Sequence, residues 1–215
     1  MTNSEILSHI DHTLLRPTST TAEIDTLCEE AEKFSTASVC IPPSYVRHVH
    51  ERFPELNICT VIGFPLGYST TAVKCFEAED AIRNGASEID MVIDLGMVKN
   101  GDLSSVEQQV SEVRKACGSH VLKVIIETCY LTEEEKIALC GCVTRAGADY
   151  IKTSTGFGTA GATLADIQLF SRNIGKNVRM KAAGGVRTRS DLEMFLEAGC
   201  DRIGTSSAVK LLTSE

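Results

Sequence analysis

The stretch "DYIKTSTGFGTAG" (149–161) admits two readings of the fold. Gly156, Gly158 and Gly161 spell G-x-G-x-x-G behind a β-rich run, the pattern of a dinucleotide-binding turn. Such a turn opens a helix in the first βαβ unit and needs an acid about 20 residues on to hold a ribose. Here the glycines come late, and the next β-rich run leads into "KAAGG" (181–185), with Lys181 and no acid where one is wanted. Lys152, inside the run, would be an ammonium group without a purpose. The glycines are better read as a short loop behind one strand of a repeated unit.

Working outward, "AGADYIK" (146–152) has three partners in "NGASEID" (84–90), "CGSHVLK" (117–123) and "AGCDRIG" (198–204). In each, a glycine suited to ending a helix precedes a short polar step and a β-rich run. Five residues on from Gly85, Gly118, Gly147 and Gly199 stand Asp90, Lys123, Lys152 and Gly204. Candidate strands cover 12–15, 38–41, 58–63, 88–94, 121–127, 149–154, 178–184 and 201–206. Helical stretches between them carry capping boxes at Thr20 with Glu23, Ser104 with Glu107, Thr132 with Glu135 and Ser190 with Glu193. Strands alternating with helices imply parallel pairing, and eight units without a linker imply a single-domain (β/α)8 TIM barrel over 1–215, with an open doubly wound sheet as competitor.

The chain has 215 residues, of which 21 are basic and 29 acidic, a formal net charge of -8. That balance argues against nucleic acid or an anionic membrane as the main partner, so an anionic ligand must be small and locally held. Nine cysteines without C-x-x-C spacing read as reduced thiols of a cytoplasmic protein. The start "MTNSEILSHIDHTLL" is no signal peptide, and no apolar run is long enough to span a membrane.

Alternation places Asp90, Val92 and Asp94 on one strand face, with Lys123, Ile125 and Glu127, Tyr150 and Lys152, and Arg179, Lys181 and Ala183 on the same side. The opposite faces, Ile89, Met91, Ile93, Val124, Ile126, Ile151 and Met180, suit packing against outer helices. The charged face therefore points into the barrel. One explanation is a salt-bridge layer in which Asp90 and Glu127 neutralise Lys123, Lys152 and Lys181. The other is chemistry, because clusters of perturbed titratable groups mark active sites. Only a neutral amine attacks a carbonyl, and desolvation together with a second cation disfavours protonation. Lys152 and Lys181, on successive strands, have that arrangement available, and Asp90 is placed to shuttle protons.

Three loops of small residues follow the last strands: "TSTGFG" (153–158), "AAGG" (182–185) and "GTSS" (204–207). Glycine lets a ligand approach the backbone, and N–H groups with hydroxyls make an anion pocket. In barrels the loops after strands seven and eight often hold phosphate. His12 reads as structural, His48 and His50 as a solvated helix face, and no His/Asp/Glu spacing has the pattern of a metal site.

"IDHTLLRP" (10–17), "VCIPP" (39–43), "VIGFPLG" (61–67), "EIDMVIDLG" (88–96), "LKVIIET" (122–128), "DYIKTSTGFG" (149–158), "MKAAGGVRT" (180–188) and "RIGTSSA" (202–208) together resemble the class I deoxyribose-phosphate aldolases, in the family's order and over nearly the whole chain. The resemblance implies reversible cleavage of 2-deoxy-D-ribose 5-phosphate to D-glyceraldehyde 3-phosphate and acetaldehyde, with no metal or organic cofactor. It implies Lys152 as Schiff-base former, Lys181 as the second lysine that lowers the first one's pKa, Asp90 as the proton-relay carboxylate and Lys123 as its support. Phosphate would sit on Thr155, Gly156, Gly184, Gly185, Gly204, Ser206 and Ser207. Asp11, Thr13 and Cys40 would line the substrate side, Cys40 serving packing as much as contact. Some members carry a lysine where this chain has Phe157, and longer ones end in a tyrosine where this chain reads "KLLTSE" (210–215). A homodimer is expected by resemblance, a tetramer being the alternative. Competing functions are a phosphosugar isomerase or lyase working by acid-base chemistry alone, and a non-catalytic phosphometabolite-binding barrel.

Overall fold

Eight parallel strands close into a barrel in chain order: β1 (Ile10–Thr13), β2 (Ser38–Ile41), β3 (Ile58–Ile62), β4 (Glu88–Val92), β5 (Val121–Ile125), β6 (Tyr150–Lys152), β7 (Arg179–Ala183) and β8 (Arg202–Thr205), with β8 pairing back onto β1. The structure, a computed structural model, describes residues 1–213, so Ser214 and Glu215 of the expected domain and of its "KLLTSE" ending lie outside the described residues. The (β/α)8 expectation holds, and the open sheet is excluded by the β1–β8 pairing.

Most strands are shorter than the runs that announced them. β6 stops at Lys152 because the Thr153 hydroxyl takes over from the ladder: it accepts from Ala183 N and donates to Ala183 O, both at 3.1 Å. β1 runs from Ile10 to Thr13, upstream of the expected 12–15, which brings Asp11 into the barrel. The boxes at Thr20 and Thr132 form as expected. At the other two sites the cap lies two residues earlier. Asp102 accepts from Ser105 N at 3.1 Å, and Thr188 pairs with Asp191. An aspartate caps at least as well as a serine, and at the third helical position it does the work of a glutamate.

Both faces of each strand are covered. Ile89, Met91, Ile93, Val124, Ile126, Ile151 and Met180 join the apolar core between barrel and helices. The facing side chains pair in register: Asp90 with Lys123, Lys123 with Tyr150, Lys152 with Lys181, and Lys181 with Arg202. Barrel interiors of this class are normally filled by layers of branched apolar residues. Here ion pairs occupy part of that space, beside Tyr150, Cys40, Cys59 and Val61.

One further cation is buried outside the barrel. Lys74, on the helix Thr71–Arg83, is fully buried and donates to Gly67 O at 2.5 Å, Val92 O at 2.8 Å and Gln109 Oε1 at 2.7 Å. The loop it holds lies tight against β4: a Cβ on Gly67, at φ +78°, would stand 1.9 Å from Ile93 O. Burial lowers the Lys74 ammonium from 10.5 to about 8, with Asp94 and Glu77 pulling the other way. Between those values the unfolded chain binds more protons at this group than the folded one, so its contribution makes stability rise with pH. The urea stability of the native sequence relative to Lys74→Met is expected to grow by about 1–3 kcal/mol between about pH 7.5 and about pH 10. A difference independent of pH would reject this.

Candidate active site

At the carboxyl end of the barrel Asp90 is the hub. Its Oδ2 accepts from Lys152 Nζ at 2.6 Å and from Lys181 Nζ at 2.7 Å, and its Oδ1 accepts from Lys123 Nζ at 2.9 Å. Below it, Lys181 ion-pairs with Asp11 at 2.5 Å, and Lys123 with Glu88 at 2.5 Å and Asp11 at 3.6 Å. Arg202 joins Asp11 at 2.5 Å and Glu88 at 3.1 Å. The expected salt-bridge layer thus exists, but with a different membership. Glu127 is absent from it, because the chain leaves β5 after Ile125 and turns at Glu127 with φ +51°. Asp94 is absent too, since it caps the helix Leu95–Lys99 by accepting from Gly96 N at 2.8 Å.

Burial opposes every charge in this network, and the partners overcome it. Lys123, Lys152 and Lys181 hold the Asp90 carboxyl well below the usual carboxylate range. Lys181, Lys123 and Arg202 do the same for Asp11. In return Asp11 and Asp90 raise Lys181, while Asp90, Cys59, Asp11 and Glu88 raise Lys123, so both remain ammonium ions. Four cationic side chains, Lys123, Lys152, Lys181 and Arg202, meet three carboxylates, Asp11, Glu88 and Asp90. Lys152 has a single carboxylate partner and each of the others has at least two.

Above the network opens a cavity of about 420 Å³, lined by Lys152, Thr13, Thr155, Gly156, Gly184, Gly185, Gly204, Ser206 and Ser207. The residues that sequence reading assigned to phosphate therefore converge on the same hollow as Lys152. Lys123, Lys181, Asp90, Asp11 and Cys40 do not reach it and lie fully buried in the barrel. Arg16 and Arg187 also line the cavity and were not singled out from sequence. Arg187 directly follows "KAAGGV", the one signal that marks it. Phe157 lies at the rim, half exposed, with its ring edge-on to Phe64 at 5.4 Å.

The pattern of the DeoC/LacD family aldolases matches residues 6–208. The chain belongs to this family. Among its relatives in the DeoC/LacD family, a deoxyribose-phosphate aldolase of Clostridium botulinum (strain Alaska E43 / Type E3) is 57% identical, covering 100% of this chain and 98% of that protein. One of Clostridioides difficile (strain 630) is 57% identical over 98% of this chain and 96% of its own. Of solved structures, a putative deoxyribose-phosphate aldolase from Coccidioides immitis has a TM-score of 0.94 at 39% identity, covering 97% of this chain and 85% of that one. The deoxyribose phosphate aldolase from Aeropyrum pernix, described as a unique tetramer, has a TM-score of 0.91 at 34% identity, with 98% and 91% covered.

Two members of the buried network, Glu88 and Arg202, escaped sequence reading although a signal existed. Glu88 lies two residues before Asp90 and Arg202 two before Gly204, so both share the inward face. His12 faces outward and pairs with Glu30 at 2.7 Å, a structural role. His48 bonds Asp25 at 2.7 Å, so of the two histidines read as a solvated face only His50 is exposed. Cys40 pairs with Cys59 beneath Phe64; their hydrogen bond lowers the Cys40 thiol, while burial raises Cys59 well above its usual value. Two groups of donor atoms are close enough for a metal, Cys40 with Cys59 and Asp90, and Asp11 with Cys59 and Glu88. The Lys123 ammonium touches Asp90 at 2.9 Å and Cys59 at 3.3 Å in the first group and Glu88 at 2.5 Å and Asp11 at 3.6 Å in the second, and its charge repels a metal cation.

Proposed function

We propose that the chain reversibly cleaves 2-deoxy-D-ribose 5-phosphate to D-glyceraldehyde 3-phosphate and acetaldehyde through a Schiff base on Lys152. Deoxyribose-phosphate aldolase activity is the function carried by the full-length relatives. The observation that carries the residue assignment is the position of Lys152. Among the described residues it is the one amine of the buried network that also lines the cavity.

Attack requires Lys152 as the free base. Lys152 has the fewest carboxylate partners of the network's cations, Asp90 alone, and it faces the cavity. The Lys181 ammonium donates to the same Asp90 oxygen as Lys152. The amine adds to the substrate aldehyde carbon, and Asp90 passes protons, directly or through water, as the carbinolamine loses its hydroxyl. The resulting iminium accepts the electron pair of the bond between C2 and C3 while the C3 hydroxyl gives up its proton. Glyceraldehyde 3-phosphate leaves, the enamine is protonated at C2, and hydrolysis frees acetaldehyde and Lys152. Lys123 takes no part in bond making; it stays charged and fixes the orientation of Asp90. The phosphate rests on the β7 and β8 loops, where none of the loop hydrogen bonds among the described residues uses the N–H of Gly185 or Ser206.

Phosphosugar and aldehyde are the partners, and no helix of the described residues is long and apolar enough to cross a membrane. The free cysteines suit a reducing cytoplasm. A homodimer is the assembly we assign, a tetramer the alternative, and sedimentation distinguishes them. Borohydride reduction in the presence of acetaldehyde tests the function. A covalent two-carbon adduct on Lys152 is expected, and an unchanged intact mass would favour acid-base chemistry or a non-catalytic barrel instead.

A further inference from the structure

Glu127 is a buried carboxylate that the mechanism does not use. It ends β5 in the left-handed region, φ +51° and ψ +66°, a conformation that strains a glutamate by about 1–3 kcal/mol. It has no ion pair among the described residues. A carboxylate removed from water without a cation is tolerated only when hydrogen-bonded, and every hydrogen bond to this one comes from a single residue of the neighbouring loop. Thr155 N donates to Oε1 at 3.1 Å, and the Thr155 hydroxyl donates to Oε2. The same hydroxyl accepts from Phe157 N at 3.0 Å. Gly158 completes the fit, since a Cβ there would stand 3.2 Å from Glu127 Oε1 and 2.8 Å from Cys129 Sγ.

This arrangement changes the accounting of the anion pocket. Three of the N–H groups in "TSTGFG" are already used and are not offered to a ligand: Thr153 donates to Lys181 O, Thr155 to Glu127 and Phe157 to the Thr155 hydroxyl. Thr155, Gly156 and Phe157 of the loop line the cavity, and of these Gly156, at φ +87°, has nothing within 4 Å of a Cβ built on it. No loop hydrogen bond among the described residues uses its N–H.

We propose that Glu127 is the positioning residue that gives this site its preference for a phosphorylated substrate. By drawing Thr155 back against β5, it turns Gly156 toward the cavity and keeps the space between the β6, β7 and β8 loops open to a phosphate. Glu127 does not line the cavity itself, so it acts through Thr155. The assignment rests on the aldolase reading above.

The test compares 2-deoxyribose 5-phosphate with unphosphorylated 2-deoxyribose in the full chain. Glu127→Gly suits the left-handed backbone, so the fold is kept while both hydrogen bonds to Thr155 are lost. KM for the phosphorylated sugar is expected to rise about tenfold or more, and kcat/KM for 2-deoxyribose to change less than about twofold. Glu127→Gln keeps an oxygen for Thr155 N and is expected to recover part of the preference. Glu127→Asn, which tolerates the left-handed backbone and is too short to reach Thr155, is expected to lower it in the same direction and carries the test should Glu127→Gly fail to fold. An unchanged preference in these variants, or an equal loss with both sugars, overturns the proposal. A native protein that cleaves 2-deoxyribose 5-phosphate with no preference over 2-deoxyribose overturns this proposal alone, whereas one that cleaves neither sugar overturns the aldolase reading with it.

Discussion

Lys152→Leu is expected to abolish cleavage of 2-deoxyribose 5-phosphate, lowering kcat by about 10⁴-fold or more, because no other group can supply the covalent electron sink. Lys123 and Lys181 are amines in the same barrel, yet both are fully buried, and each is held charged by at least two carboxylates. Neither can substitute. The variant is also expected to fold. Removing Lys152 still leaves Asp90 paired with Lys123 at 2.9 Å and Lys181 at 2.7 Å, so no buried charge is orphaned. Urea unfolding should move by no more than roughly 1–2 kcal/mol. Steady-state turnover and borohydride trapping check the first part. Turnover near the native rate would reject Lys152 as nucleophile.

Asp90→Asn is expected to damage stability and activity together. The side chain is close to isosteric, but the carboxylate that three lysines share disappears, leaving Lys152 with no carboxylate partner. Breaking a buried charge cluster from one side costs about 3–5 kcal/mol. Loss of the proton shuttle costs a further 10²- to 10⁴-fold in kcat, approximately the range of general acid-base catalysis. The pH dependence has a definite sign. Asp90 is held below its unfolded value of 3.8, so its stabilisation is complete above that value and is lost as pH falls toward the folded one. The acid limb of the stability curve should therefore be shallower in Asp90→Asn than in the native sequence. Parallel limbs would show that Asp90 is not the hub. Lys181 differs from both sites: its loss would leave Asp11 facing only Arg202 and a more distant Lys123.

Much of this was legible before the fold was built, for a definite reason. The period of two along a strand assigns each side chain to a face. Asp90, Lys123, Lys152 and Lys181 could therefore be grouped from spacing alone, with the apolar residues on the opposite face. Four glycine-punctuated repeats gave the parallel alternation from which eight units and a closed barrel follow. The same rule was available for Glu88 and Arg202, which stand two residues from Asp90 and Gly204 but were passed over. It failed for Glu127 and Asp94, because the strand period was extended past residues where the strand had ended.

Sequence alone therefore determined the architecture, the inward-facing lysines and the glycine loops, since these depend on local periodicity and conformational freedom. Only the tertiary structure decided which charges pair. Asp11 on β1, Glu88 on β4 and Arg202 on β8 are far apart in the chain and meet only because the sheet closes. That closure leaves Lys152 with one carboxylate and an opening to the cavity, while Lys181 is locked between two. It also decided the role of Glu127, because a single left-handed residue takes the carboxylate out of the ionic layer and aims it at Thr155. Periodicity says which way a side chain points along a regular strand. It does not say where the strand stops or what lies across the barrel, and those two facts separate the one lysine that opens to the cavity from the lysines buried beneath it.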